Sequence, residues 1–502
     1  MATRTISVAG GNYNATGTWD EGVVPTAADA VVARVGGDSG TVTVTAAAAA
    51  LSAAFANYVG TFTINSGFTW TVSGSVTLVA GMTLAGTGTL AVNAASTLTS
   101  AGKSVPWDVT LTGAVIHTLA DVWTVTGLVR LGATTATTTI NGQRIDCNSL
   151  TIGTTTGIVT GTTAIKVVGT GTVTGNNSTG PLRLNLEFAA GAGTITFANV
   201  VFQYDTGTIL WTSGTMSMGT STLRMALATT LNTGGMTWND VTVSANVTIT
   251  LSSALHVGDT LLESVGGCTF SGAFNIDCGA WTISGGATVT TTLSGTMTVS
   301  GAITMSNTGG TTFAGAFAVS GGSAAISGSQ TVTLASNWTI SDLTTNSAAD
   351  VINGAFNWST GGLTMSNTLS GTATIVFNGT GTWSGTGALS NNVTINTAGT
   401  LTVSGTVAHA AGTITYTAGT VVTTGSTLQL TGATITLNTA PVVWNNISIT
   451  AAQTTTINSL LEATGSLQLP DGNVIFAGTS PWKVGTLTVV TSVAVLRTFT
   501  FV

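Results

Sequence analysis

Acid–base and metal chemistry in this 502-residue chain would have to come from 17 carboxylates, 10 cations, 3 histidines and 3 cysteines. Cleaving a glycosidic bond needs two carboxyl groups facing each other at about 5–9.5 Å, so the acids are the first test. Asp108 and Asp240 hold equivalent places in a repeated segment, but other copies carry Asn446 and Asn392 there. A place that exchanges Asp for Asn serves a turn or a backbone hydrogen bond, because an amide is neither acid nor base. Asp20, Glu21 and Asp29 sit near the N-terminus, ahead of the repeats. Asp146, Glu187 and Asp205 are the acids that stacked strands could bring together. They are the strongest catalytic set available, against the plainer reading of solvated strand-edge acids.

The other chemistry is thinner still. His117, His256 and His409 fall at unrelated points of the repeat, as structural histidines do. Cys147, Cys268 and Cys278 form an odd set without C-x-x-C spacing and read as small buried apolar residues. There is no G-x-S-x-G, H-E-x-x-H, phosphate-binding or dinucleotide fingerprint. Gly36-Gly37-Asp38-Ser39-Gly40 is similar to a calcium-binding Gly/Asp turn, but it occurs once and reads as a loop. The expectation is a non-enzymatic chain with no catalytic, cofactor-binding or metal-binding residues.

The elements that would position these residues are strands. Only 5% of residues are charged, against about 25% in ordinary soluble domains. Yet 43% are hydrophobic and the mean hydropathy is +0.48, so low-hydrophobicity disorder is excluded. Thr and Val fit a pleated surface and are stiff in helices. Alternation with period two runs through Thr41-Val42-Thr43-Val44-Thr45, Thr194-Ile195-Thr196-Phe197 and Thr434-Ile435-Thr436-Leu437. Gly, Asn and Ser clusters such as Gly36 to Gly40 and Gly175 to Gly180 break these runs. The Ala-rich stretch Ala46 to Ala56 fits either an early strand layer or a short capping helix.

Repeats narrow the architecture. Thr89-Leu90-Ala91-Val92 leads to Trp107-Asp108-Val109-Thr110-Leu111. The cassette returns as Thr222-Leu223-Arg224-Met225 with Trp238-Asn239-Asp240-Val241, and as Thr427-Leu428-Gln429-Leu430 with Trp444-Asn445-Asn446-Ile447. Degenerate copies are Ile375-Val376-Phe377 with Asn391-Asn392-Val393, and Ile165-Lys166-Val167 with Leu184-Asn185-Leu186. Gly207 to Thr215 parallels Gly412 to Thr420. Strand cassettes that cannot bury their apolar faces alone must stack. Their drifting spacing disfavours a propeller, and a sandwich gives no reason for repeats. The expected fold is all-β, a parallel β-helix (β-solenoid): residues 1–40 as an N-terminal capping or docking segment and 41–502 as the repeat solenoid. At about 20 residues per coil and about 4.8 Å per rung this gives a rod of roughly 100 Å.

A net charge of −7 with sparse basic residues offers no footprint for nucleic acid, and no run of apolar residues is long enough to span a membrane. Between Asp350 and Glu462 there is no charged residue. Such a hydroxyl-rich surface suits neutral partners such as glycans, or another copy of the chain. Thr-x-Thr ladders can also bind ice, but their spacing drifts here and large Phe, Trp and Met residues interrupt them.

The opening Gly10-Gly11-Asn12-Tyr13, Thr18-Trp19 and Gly22-Val23-Val24-Pro25-Thr26-Ala27-Ala28-Asp29 resembles that of bacteriophage tail-fibre and virion-appendage proteins, and of some bacterial β-helix adhesins. The Thr/Gly-rich cassettes, including Trp444-Asn445-Asn446-Ile447-Ser448-Ile449, are similar to the repeats of those fibres. The resemblance implies a parallel β-helix in a virion, contacting other virion proteins through the N-terminal segment, copies of itself (a trimer is common in that class) and host surface glycans. It supplies no catalytic residues. Met1 to Asn12 has no apolar signal region, which favours a virion protein assembled in the host cytoplasm over an exported adhesin. The adhesin is the second reading and a polysaccharide depolymerase spike the third. The apolar end Leu496-Arg497-Thr498-Phe499-Thr500-Phe501-Val502 suggests burial against another copy or another protein.

Overall fold

A computed structural model describes residues 1–501 except 38–39, 133–136, 154–156, 176–180, 199–200, 235, 266, 286–288, 294, 308, 315–318, 329, 347–348, 451–452, 470–473, 479 and 490–498. The Asp38-Ser39 part of the first glycine turn and most of the second glycine cluster therefore lie outside the described residues. So does much of the terminal run 496–502, of which Phe499–Phe501 form a strand paired with Val474 to Phe476.

The fold is a parallel β-solenoid of about 20 turns in all. The chain divides into two compact units, Met1–Thr242 with Ile249–Gly258, and Val243–Thr248 with Asp259–Val502. Among the described residues there is no α-helix, only a single 3-10 turn at Thr16–Thr18.

In the first unit a coil carries three short strands. Thr61–Ile64, Thr69–Val72 and Val76–Thr77 are followed by Thr83–Ala85, Thr89–Val92 and Ser96–Thr99. Each strand pairs in parallel with its counterpart one coil on: Phe62 with Leu84, Trp70 with Leu90, Val76 with Leu98. Because side chains alternate in and out, one column of the stack is apolar and its neighbour is polar. Ala48, Trp70, Leu90, Val109, Val129, Leu150 and Val173 form an inward column. One residue on, Thr71, Ala91, Thr110, Arg130, Thr151 and Thr174 form the outward one. Period-two alternation in the sequence is thus the cross-section of a coil.

The expected cassettes are successive rungs. Thr89 faces Asp108 and Thr427 faces Asn446, with the three following residues in register. The fifth copy keeps the same register: Ala164 faces Asn185, Ile165 faces Leu186 and Val167 faces Phe188, beyond an irregularity between Thr160 and Ala164. Trp107, Trp238 and Trp444 are all fully buried. The Ala-rich stretch forms strands Ala48–Ala50 and Ser52–Ala54, not a helix.

Within the first 40 residues, Ala2–Thr5 pairs with Asp29–Val32, which pairs in turn with Ser52–Ala54. Gly11–Asn12 pairs with the start of Val42–Val44. The Gly-Gly-Asn-Tyr motif approaches the next strand closely: Gly10 is in the left-handed region at φ 61°, and a Cβ there would collide with the Thr41 backbone. Tyr13 and Trp19 are buried edge to face with ring centroids 5.0 Å apart, and the Tyr13 hydroxyl donates to the Ala49 carbonyl at 2.7 Å.

The second unit stacks in the same way. Ile276, Met297, Val319, Trp338, Trp358, Ile375, Val393 and Ile414 form one inward column. Trp281, Ile303, Ala324, Leu343, Leu363, Trp383 and Val403 form another. Trp338 lies 5.1 Å from Trp358 and 4.4 Å from Phe313, centroid to centroid.

Candidate functional site

The Asp/Asn exchange has a direct structural cause. Asp108 Oδ1 accepts the Leu128 amide at 2.9 Å, Asn446 Oδ1 the Ser466 amide at 2.9 Å, and Asn392 Oδ1 the Thr413 amide at 3.0 Å. Asn141, Asn185, Asn275 and Asn337 accept backbone N–H groups about one coil ahead in the same way. At a corner the backbone turns away from the ladder, and a short Asx side chain takes the amide left without a ladder partner. Either oxygen type serves, so Asp and Asn interchange. Gly127 and Gly465 follow from the same contact, since a Cβ at either would strike the Asp108 or Asn446 side chain.

Asp146 and Glu187 do share a face. Asp146 faces Lys166, and Lys166 faces Glu187, on three successive rungs. Arg144 grips Asp146 through two nitrogens at 2.5 and 3.0 Å, and Lys166 Nζ lies 2.7 Å from Glu187. The Thr212 hydroxyl also donates to Glu187 at 3.0 Å. Partial burial pulls the Glu187 pKa up, but the bonds from Lys166 and Thr212 outweigh it and hold the carboxyl below its ordinary value. That is opposite to what a general acid needs. Asp205 sits elsewhere: it is nearly buried, paired with Arg183 at 3.1 Å and bonded by the Gln203 amide at 3.2 Å. The three acids are not a convergent set; each is tied to a cation.

The N-terminal acids are likewise committed. Asp20 binds Arg34, Glu21 accepts the Thr5 amide, and Asp29 takes the Thr26 amide and hydroxyl with Arg4 alongside. His117 is buried between the Ser96 hydroxyl (2.8 Å) and the Thr112 carbonyl (3.1 Å). Cys147, Cys268 and Cys278 are free, buried thiols; burial pushes Cys147 and Cys278 up to about 12 and Cys268 well up too. Such thiols are poor nucleophiles.

Two buried polar groups escaped sequence reasoning. Glu263 is fully buried, accepting the Trp281 indole N–H at 2.9 Å and the Thr291 hydroxyl at 2.7 Å. Further along, Asn307, Thr311, Gln330 and Asp350 form a chain inside the coils. The Thr311 hydroxyl donates to the Asn307 (2.9 Å) and Gln330 (3.2 Å) side-chain oxygens, and the Gln330 backbone N–H donates to Asp350 (3.2 Å). Parity was the available signal: Glu263 shares the inward phase of Leu255, Val257 and Leu261.

The outward surface is the remaining candidate. Thr282, Thr304, Ala325, Thr344, Thr364 and Ser384 form one file, in register from coil to coil. Thr298, Ser320, Thr339 and Ser359 form a second. These side chains are half-buried or exposed, and the Thr364 and Ser384 hydroxyls lie 3.3 Å apart. Both files present small hydroxyls on rungs about 4.8 Å apart, interrupted in the first by Ala325, and carry no charge apart from Asp277 at the head of the second.

The concavities are shallow. One of about 570 Å³ is lined by Gly36, Gly37, Asn57, Tyr58, Val59, Val79 and Gly81. Two smaller ones lie at Gly161, Thr162, Arg183, Asn185 and Gly207, and at Tyr416, Val421 and Pro441. No carboxylate lines any of these three. Among the described residues no group of three or more His, Cys, Asp or Glu is placed to hold a metal. Comparison with protein-family models, curated proteins and solved structures gives no match.

Proposed function

We propose that this chain is a non-enzymatic structural and adhesive protein of a bacteriophage particle, a tail fibre or another appendage. The observation that carries the adhesive part is the in-register files of hydroxyls, Thr282 to Ser384 and Thr298 to Ser359. A neutral surface that repeats the same weak donor and acceptor along a stack suits multivalent contact with host glycans or with further copies of the chain. Each contact is weak, and many held on one scaffold add through effective concentration. The non-catalytic part rests on the acids described above, Asp20, Glu21, Asp29, Asp108, Asp146, Glu187 and Asp205, which are bound to cations, hydroxyls or backbone amides. The particle assignment rests on the resemblance of the opening and the cassettes to phage appendages; there the N-terminal segment would meet other virion proteins.

The test is immunogold electron microscopy on the source material with antibody to the purified chain. Label on tails or capsid projections supports the proposal. Label confined to cell envelopes overturns it in favour of a bacterial adhesin. Incubating the purified chain with capsule or lipopolysaccharide tests the non-catalytic half: release of new reducing ends would make it a depolymerase.

A further inference from the structure

His409 is fully buried, and it stands in an inward column of leucines. Leu369, Leu389, His409, Leu430 and Ile449 succeed one another through in-register pairings. The strands packed on either side of Thr406–His409, Ala388–Leu389 and Thr427–Leu430, present Leu389 and Leu430 to it. Neither ring nitrogen reaches hydrogen-bond geometry; the Gly412 backbone approaches the ring without closing a bond. His117 differs on this point, since Ser96 and Thr112 satisfy its ring.

The surroundings hold nothing to compensate a charge. From Val351 to Leu461 the sequence contains no Asp, Glu, Lys, Arg or Cys and no second His. Tyr416 is the other titratable side chain in that stretch, and its hydroxyl donates to the Gly419 carbonyl at 2.7 Å. Asp350, the carboxylate that heads the column, is three rungs away, about 14 Å at the usual strand spacing. An imidazolium here would sit in a low-dielectric core without a counter-ion.

We propose that His409 is an acid-sensitive latch: its protonation opens the coils around residues 388–430 while the coils on either side stay closed. Burial lowers its pKa from 6.5 to about 4, outweighing the small pull of the Gly412 backbone. The sign follows from linkage. A histidine whose folded pKa is depressed binds its proton more tightly in the opened state. The stability is therefore complete above pH 6.5 and is lost as pH falls towards 4. At pH 5 the opening equilibrium rises about 20-fold over its value at pH 7. The rest of the stretch has no group that titrates in this window, so the response belongs to one residue. It does not depend on the adhesive reading above.

The test uses the full chain. Hydrogen exchange followed by mass spectrometry at pH 7, 6 and 5, corrected for intrinsic rates, should show peptides within 388–430 losing protection about 20-fold between pH 7 and pH 5. Peptides within 351–370 should change little. His409→Leu should remove the response. Equal acid sensitivity in His409→Leu would overturn the proposal, as would unchanged protection in the parent chain. If His409→Leu fails to fold, selective ¹³C-histidine labelling of the parent chain decides: three imidazole signals are expected, and an assigned His409 signal titrating at 6 or above sinks the latch.

Discussion

The two units share one stacking rule and differ in where they keep their polarity. Eight of the ten basic residues, from Arg4 to Arg224, belong to the first unit, and only Lys483 and Arg497 to the second. The first unit spends its charges in pairs between neighbouring strands or turns: Arg34–Asp20 and Lys166–Glu187 are partly exposed, while Arg4–Asp29 and Arg183–Asp205 join a half-exposed cation to a buried carboxylate. The second unit leaves its outer files to neutral hydroxyls and places polar groups inside, at Glu263, Asn307, Gln330, Asp350, Asn391 and His409. An exposed ion pair is worth little and tolerates change. A buried polar group is costly unless every atom is satisfied. The difference teaches that surface charge adorns the first unit, whereas interior polarity sets the stability and pH response of the second.

The largest expected effect should be the same in both units, because the apolar columns are alike. Trp70 packs 4.6 Å from Phe62 and Trp358 packs 5.1 Å from Trp338. Truncation to Ala should cost about 3–5 kcal/mol of local stability in either case. The readout is denaturant-dependent hydrogen exchange of the coils on each side. A Trp358→Ala variant much milder than Trp70→Ala would break the claim of equivalent cores.

The next effect separates the units. Asn391 is buried and its Nδ2 donates to the Ala373 carbonyl at 2.9 Å and the Ile352 carbonyl at 3.3 Å. Asn391→Ala takes the side-chain donor from the Ala373 carbonyl and one of two donors from the Ile352 carbonyl, which keeps the Ala373 amide at 3.1 Å, and should cost about 1–3 kcal/mol. The corner clamp Asp108 gives the contrast in the first unit. Asp108→Asn should be close to neutral, while Asp108→Ala, which leaves the Leu128 amide to water, should cost about 1 kcal/mol. Hydrogen exchange on Leu128 and its neighbours reads the clamp directly.

How much of this the sequence disclosed depends on the length scale of the interaction. Alternation is local, so the strands, the inward columns and the all-β coil could be read from runs such as Thr61-Phe62-Thr63-Ile64. The clamp at Asp108 was legible because repeats substituted Asn at the same place. A further repeat was readable but passed over: Ile145-Asp146-Cys147 to Ile152 and Ile276-Asp277-Cys278 to Ile283 share one pattern of buried and outward positions. The partners of an inward polar residue were not legible. Parity sends Glu263 inward, but its satisfaction depends on Trp281 and Thr291, 18 and 28 residues away, and on coil lengths that vary from one turn to the next. The grouping of Asp146, Glu187 and Asp205 was legible only in part: Asp146 and Glu187 share a face through Lys166, whereas Asp205 pairs with Arg183.

Glu263 turns the comparison into a pH prediction. Burial raises its pKa, and the hydrogen bonds from Thr291, Cys268 and Trp281 only partly offset this. An acid whose folded pKa is raised contributes stability that is complete below its unfolded value, near 4.5, and is lost as pH climbs towards the folded value. Glu263→Gln keeps one acceptor oxygen for the Trp281 indole N–H and turns an amide N–H towards the Thr291 hydroxyl oxygen, without an ionisable group. The variant should hold its protection from pH 5 to pH 8 at coils 261–293, where the parent loses it. A parent whose protection there is flat with pH would mean that the buried carboxyl is not a pH-sensitive element of the second unit.

The smallest effect is expected where the charges are most visible. Lys166 and Glu187 face each other on adjacent rungs with side chains about one-fifth exposed. Lys166→Met should cost at most about 1 kcal/mol, because the pair is partly solvated and the Lys stem packs much as Met does. The Arg144 pair with Asp146 on the same face should be as tolerant, and 0.5 M salt should erase most of either difference, since screening at that strength acts within a few ångströms. The same salt should leave Asn391→Ala unchanged, because no charge is involved there. A Lys166→Met loss of several kcal/mol that salt does not relieve would show that the first unit also depends on desolvated polarity. The two units would then differ in composition but not in how they are held together.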